Sequence, residues 1–144
     1  MPAPISPADK AAFIAGWAAV KTAFNKVSSL GRGVPEVGVL AGAVAAIDSA
    51  IPGWRSGRVS DADFAQLYKR LGPASIAVGD ATRRLQSYGL MDAINEFQAE
   101  ADNLNGYLMD YWDAGPMASK ATMAIIIGAV GLLAVGLIVA TRRA

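Results

Sequence analysis

The carboxylates best spaced to act together are Asp92, Glu96 and Glu100, which follow one another at intervals of four residues. On a helix this spacing forms one column, and like charges so placed destabilise it by about 0.2–0.5 kcal/mol per pair unless a cation or basic partner compensates. A carboxylate metal site in a helical bundle also needs Glu-x-x-His motifs, and the chain has no histidine. We therefore expect basic side chains, from this chain or a second copy, to pair with the column. The candidates are Lys69, Arg70, Arg83 and Arg84.

Catalytic groups of other kinds are not recognisable in the sequence. The chain has neither the histidine that most often serves as general base nor any cysteine for thiol chemistry. Its serines lack a nucleophile elbow or a Ser-x-x-Lys context, and glycine clusters such as 31–33 lack the lysine and spacing of a phosphate loop. We expect a protein that is not an enzyme, with no catalytic residue, metal, cofactor or small-molecule substrate.

The charges are segregated along the chain although the net charge is only +1. Residues 1–89 carry ten basic and six acidic side chains, whereas residues 90–119 carry six acidic side chains and no basic one. A uniformly basic nucleic-acid surface is not indicated, and no aromatic residues alternate with Arg83 and Arg84. We expect this polarity to serve docking against copies of the chain or a larger protein assembly.

Trp54 lies in a Gly/Pro-rich segment, residues 52–57, which predicts a loop. A loop tryptophan beside Arg55 and Arg58 is typical of a protein–protein contact, but its ring could equally cap a hydrophobic core. The sequence leaves both interpretations open. The candidate partner contacts are Trp54, Arg55, Arg58, Arg83, Arg84, Asp92, Glu96 and Glu100.

Residues 121–140 form an uncharged apolar run of twenty residues. As a helix with a rise of about 1.5 Å per residue it would be roughly 30 Å long, which matches the hydrocarbon core of a bilayer. It carries no charge that would indicate transport or proton relay. We therefore predict a single C-terminal membrane anchor. Its representative residues are Ala121, Ile125, Ile126, Gly128, Gly131, Leu132, Gly136 and Ala140.

Trp112 and Lys120 precede the predicted anchor, and Arg142 and Arg143 follow it. Trp112 is the candidate for the aromatic belt at headgroup level, and the two arginines would meet headgroups, or nucleic acid, on the far side. The arginines favour a cytoplasmic C-terminus, whereas the missing secretory signal favours a cytoplasmic domain. We expect the domain to face the cytoplasm.

The rest of the pattern predicts an all-α fold, in which a small bundle of about five helices precedes the membrane helix. We expect an extended arm over residues 1–5, the bundle over 6–116 and the anchor with its short basic tail over 117–144. Ser6, Ser60 and Gly89 are the predicted caps. Leu90, Ile94, Phe97, Ala101, Leu104, Leu108 and Tyr111 repeat at alternating steps of four and three, which predicts one continuous helix over 90–113. The other helices are expected over 7–30, 35–51, 61–72 and 73–88.

The leading hypothesis is a non-enzymatic, single-pass membrane protein that tethers a protein assembly to a bilayer. In composition the chain resembles minor membrane proteins of bacterial viruses and small subunits of bacterial envelope complexes, and this resemblance covers no motif. It implies a minor virion protein in the internal membrane of a membrane-containing virus, or alternatively an envelope or secretion subunit in the bacterial inner membrane. A holin-like lysis or pore protein is the second alternative. That function would require residues 13–20 or 37–47 to insert, and both runs are too short to span a bilayer.

Overall fold

Six α-helices and one 3₁₀ turn make up most of residues 3–112, the part of the chain that the computed structural model describes. No β-strand occurs within this part, so the predicted all-α bundle is confirmed there. The predicted anchor, at 117–144, lies outside the described residues. The elements are α1 (Pro7–Leu30), α2 (Pro35–Ser56), α3 (Asp61–Lys69), α4 (Leu71–Leu85), α5 (Tyr88–Asp102), the 3₁₀ turn (Asn105–Tyr107) and α6 (Met109–Trp112).

Helix α1 begins and ends at the predicted residues because its caps act locally. The Ser6 hydroxyl accepts a hydrogen bond of 3.1 Å from the backbone N–H of Asp9, and Pro7 occupies the first turn, where its missing N–H is not needed. At the other end, the N–H of Gly31 donates to the carbonyl of Val27. The predicted apolar stripe is buried: Phe13, Trp17, Val20, Phe24 and Val27.

The prediction of a loop over 52–57 is wrong, because α2 continues to Ser56 and is capped by Gly57, whose φ is +86°. Pro52 removes one helical hydrogen bond at a cost of about 3 kcal/mol. The next turn, however, buries Trp54, which stacks on Phe64 with 4.1 Å between ring centroids. Removing 150–250 Å² of aromatic surface from water contributes roughly 4–6 kcal/mol, which exceeds that cost.

The caps of α3 and α4 agree only in part with the sequence pattern. The Ser60 hydroxyl accepts from the N–H of Asp63 at 3.1 Å, as predicted. Helix α3 ends at Lys69, however, before the expected Gly/Pro break, and Pro73 lies inside the first turn of α4. Helix α4 ends at Leu85 and is capped by Gln86, in the left-handed conformation with φ +55°, instead of by Gly89, which belongs to the first turn of α5.

The predicted continuous helix over 90–113 is also wrong, although its apolar seam is buried throughout. The Tyr68 hydroxyl donates to the carbonyl of Ala101 at 2.5 Å, and the N–H of Leu104 donates to the same oxygen at 3.1 Å. In a continuing α-helix the carbonyl of Ala101 would accept from the N–H of Asn105, and these two bonds occupy it instead. Leu104 then packs against α1 at Gly16, where an added Cβ would come within 2.6 Å of it. Helix α5 therefore ends and the chain turns.

Aromatic rings centred on Phe13 form the core near one end of the bundle. Trp54, Phe64 and Tyr68 each meet Phe13 edge-on, with centroids 5.2–5.4 Å apart. Such pairs contribute about 0.5–1.5 kcal/mol each beyond their burial. We call this end, where α1 and α3 begin and α2 ends, the arm end. At the opposite end, which we call the far end, α1 and α4 finish and α2 and α5 begin.

Helix α2 is the one helix of the described part that is long and apolar enough to cross a membrane, with 22 residues and a mean hydropathy of 1.5 over its most apolar 18-residue window. The expectation that this region is too short to span is therefore wrong, because the helix extends past Pro52. Length and composition alone do not distinguish a membrane helix from a core helix. Here Leu40, Ile47 and Trp54 point into the bundle and are 0% exposed.

Candidate functional site

The two ends of the described chain are fastened together at the arm end. The hydroxyl of Tyr111, in α6, donates to the backbone carbonyl of Ala3 in the N-terminal arm. The amide of Gln66, in α3, donates to the carbonyl of Trp112 at 3.0 Å. The chain beyond residue 112 therefore continues from the arm end of the bundle.

A carboxylate that the sequence did not single out, Asp61, joins three elements at this end. It accepts hydrogen bonds from the indole Nε1 of Trp54 at 2.8 Å and from the backbone N–H of Ile5 at 3.0 Å. The ammonium of Lys10 lies 3.7 Å from it and also donates to the carbonyl of Trp54 at 2.9 Å. In the sequence, the only signal near Asp61 is the predicted N-cap at Ser60, and an N-cap indicates a role in the start of α3 and not a contact with distant residues.

Trp54 is 0% exposed, so the structure decides between the two interpretations of this residue. It is a core residue, and its ring is not available for a surface contact in this conformation. Arg55 and Arg58 lie outside it and are exposed. Within residues 3–112 neither arginine is paired with a carboxylate, and the Nε of Arg58 donates only to the Ser56 hydroxyl, at 3.2 Å.

A groove of about 470 Å³ runs between the N-terminal arm, the start of α1 and the end of α2. Most of its lining residues are apolar, and Arg55 is one of its two charged lining residues. The ammonium of Lys10 also borders the groove, but it is already engaged by Asp61 and by a backbone carbonyl. The lining residues are Ile5, Pro7, Lys10, Ala11, Ile14, Ala15 and Arg55.

The far end exposes large apolar side chains. Leu30 is 57% exposed, Leu85 50% and Tyr88 78%. An ion pair of 3.3 Å between Arg84 and Glu36 fastens α4 to α2 beside them. Glu36 also accepts a backbone hydrogen bond, and this bond together with Arg84 lowers the pKa of its carboxyl.

Within residues 3–112 the carboxylates of α5 do not pair with Arg83 or Arg84, so the predicted pairing with these two arginines would require a second copy of the chain. Because α5 packs against α1, Glu96 meets Lys26 of α1 at 3.0 Å. Arg83 pairs with Asp80 on its own helix, and Arg84 pairs with Glu36. No ion pair forms at Asp92 or Glu100 within the described chain, and no group of acidic side chains there could hold a metal.

Asp48 is a second polar contact that the sequence pattern did not reveal. It accepts from the indole Nε1 of Trp17 at 3.0 Å and pairs with Lys21 at 3.1 Å, which fastens α2 to α1. These hydrogen bonds, first that of the indole and then that of the ammonium, lower the pKa of the Asp48 carboxyl. No local motif marks this position, because its partners are about thirty residues away in the chain.

Trp112, the predicted interfacial aromatic, is 4% exposed and packs at the arm end. Its indole Nε1 has no hydrogen-bond partner among residues 3–112. The predicted anchor from Ala121 to Ala140 and the basic residues Lys120, Arg142 and Arg143 lie outside the described residues.

Comparison of the chain with protein-family models, with characterised proteins and with solved structures finds no significant match. The fold defines the described part as an all-α helical bundle. Its two ends differ in surface chemistry, with two arginines and a groove at the arm end and apolar side chains at the far end.

Proposed function

We propose that this protein is a non-enzymatic structural subunit that tethers a protein assembly to a bilayer. In this proposal residues 121–140 span the membrane and the helical bundle stands beside it. The observation that supports the proposal is the hydrogen bonding of Tyr111 to Ala3 and of Gln66 to Trp112, which holds the last described residue at the arm end. An uncharged run of membrane-spanning length follows in the sequence.

The length of the linker favours a definite orientation. Residues 113–120 connect Trp112 to the apolar run and reach at most about 26–29 Å when fully extended. The 24 residues of α1 are about 36 Å long, so this linker favours holding the arm end closer to the bilayer than the far end. The far end is then presented to the assembly.

The far end has the chemistry of a protein contact. Tyrosine and arginine are enriched in the residues that dominate binding energy, and here the exposed ring of Tyr88 accompanies Leu30, Leu85 and Arg32. In the leading form of the proposal the assembly is the coat of a membrane-containing bacterial virus. In the alternative form it is an envelope or secretion complex.

Two measurements on the full chain test this function. Resistance to carbonate extraction, lost when residues 121–144 are deleted, is expected of a tether. A photo-reactive residue at Tyr88 should cross-link to a coat or complex protein in the native membrane, whereas one at Ala12, an exposed alanine of α1 nearer the arm end, should not. Extraction of the full chain by carbonate, or equal cross-linking from both positions, would count against the proposal.

The apolar length of α2 favours one second candidate, a pore-forming protein. Such a protein would open the bundle and insert α2, which would separate Asp48 from Trp17. Purified full chain should release a dye from liposomes if it forms pores, and should leave them sealed if it is a tether. Leakage that depends on α2 would replace the tethering proposal.

A further inference from the structure

We propose that the groove beside Arg55 binds the phosphate of an anionic phospholipid in the bilayer to which the protein is tethered. This inference rests on the proposed function, because that function brings the arm end to the membrane surface. It adds a specific lipid contact to the anchor.

The first support is the free charge at the edge of the groove. Arg55 has no carboxylate partner within residues 3–112, whereas the charge of Lys10 is balanced by Asp61. A guanidinium presents planar N–H groups that bind phosphate oxygens in pairs, and it is less strongly hydrated than an ammonium. Arg58 lies three residues further along the chain and is also without a carboxylate partner, so it adds positive charge near the same end.

The second support is the apolar lining. Ile5 and Ile14 are half-buried, and the exposed Ala11 and Ala15 line the groove with them. A volume of about 470 Å³ lies in the range of ligand sites, roughly 300–1,000 Å³, and is sufficient for a headgroup with the first carbons of its acyl chains. A fully hydrated inorganic anion would leave this apolar side without a partner.

The third support is position. Arg55 lies in the last turn of α2 at the arm end, and the same end holds Trp112, from which the linker continues. None of the nearby acidic side chains is a lining residue of the groove: Asp61 accepts from Trp54 and Ile5 and lies 3.7 Å from the Lys10 ammonium, and Asp9 and Asp63 do not belong to the lining. The local charge that faces the groove is therefore positive.

The test compares two arginine variants of the full chain in nanodiscs that contain equal amounts of phosphatidylglycerol and phosphatidylcholine. Native mass spectrometry counts the lipids that stay bound after the disc is removed. Arg55→Gln should lower the preference for phosphatidylglycerol by roughly tenfold or more, as expected for the loss of a charged hydrogen bond. Arg32→Gln removes the same charge from an exposed arginine at the far end that has no carboxylate partner within residues 3–112, and should retain the wild-type preference.

A third variant, Ala11→Phe, fills the groove without changing its charge and should also reduce retention of phosphatidylglycerol. If Arg55→Gln and Arg32→Gln behave alike, or if the wild type shows no preference, the lipid site is wrong. The tether would stand in that case, provided that the full chain still resists carbonate extraction. If it does not resist, the tether fails, whatever lipid is retained.

Discussion

Replacement of Asp61 tests whether one carboxylate fastens the arm end of the bundle. In Asp61→Ala two hydrogen bonds to a charged acceptor are lost, from the Trp54 indole at 2.8 Å and from the Ile5 amide at 3.0 Å. Each such bond contributes about 1.5–3 kcal/mol, and the indole N–H of a fully buried ring would be left without a partner. Because the bonds share one group, their effects do not add. We expect the free energy of unfolding to fall by about 3 kcal/mol.

Asp61→Asn should be milder because it retains one acceptor oxygen. It keeps only one of the two hydrogen bonds, because its NH2 group faces the other donor, and it loses the attraction to Lys10, whose ammonium lies 3.7 Å away. We expect a loss of about 2 kcal/mol. The matched control is Asp63→Asn, which changes the same charge two residues further along the first turn of α3. The Asp63 side chain is exposed and makes no hydrogen bond of its own in the described structure, so this variant should stay within about 0.5 kcal/mol of the wild type.

The measurement is urea unfolding of the full chain in mild detergent, followed by tryptophan fluorescence and by circular dichroism at 222 nm. With a slope of about 2 kcal/mol per molar urea, a loss of 3 kcal/mol moves the midpoint by roughly 1.5 M. Equal midpoints for the Asp61→Ala and Asp63→Asn variants would refute the reasoning, because they would show that the hydrogen bonds to Asp61 do not stabilise the arm end.

Three further predictions concern other contacts of the bundle. Since folding lowers the pKa of the Asp48 carboxyl, the ionised Asp48 stabilises the fold above about pH 4, and this stabilisation is lost below that pH. The difference in the free energy of unfolding between the wild type and Asp48→Asn, measured in urea, should therefore shrink as the pH falls through that range. Tyr68→Phe should cost about 1–3 kcal/mol, measured in the same way, because it leaves the buried carbonyl at the end of α5 with one donor fewer. Gly42→Ala should raise the free energy of unfolding by about 0.5–1 kcal/mol, since a Cβ there meets open space. Gly16→Ala should raise it by less, or lower it, because the added Cβ would meet Leu104. Equal increases for the two variants would contradict this packing.

Local signals in the sequence determined where several helices begin. Ser6 and Ser60 each cap a helix by accepting a hydrogen bond from an N–H three residues away, and this geometry depends on no distant part of the chain. The buried stripe of α1 and the buried seam that starts in α5 were likewise predictable, because apolar side chains at helical spacing share one face wherever they pack. The all-α class follows from the same periodicity.

Tertiary contacts decided where α2 and α5 end. Helix α2 passes through Pro52 because Trp54 gains a stacking partner in α3, and α5 stops because Tyr68 takes a carbonyl 33 positions along the chain. Neither partner lies within the window that a local pattern samples. Pro52 and Gly53 therefore predicted the wrong end for α2, and the four-and-three apolar repeat that starts at Leu90 predicted the wrong end for α5, although both are valid local signals.

The arrangement of the candidate site also depends on tertiary contacts. The sequence marked Arg55 and Arg58 as surface charges and left the role of Trp54 open, and it gave no sign of the contacts of Asp61 with Ile5. The arm end is held together by hydrogen bonds between residues that are far apart in the chain: Ile5 and Asp61 are separated by 56 positions, and Ala3 and Tyr111 by 108. Local spacing fixes which face of a helix a residue occupies, but only packing decides which faces meet.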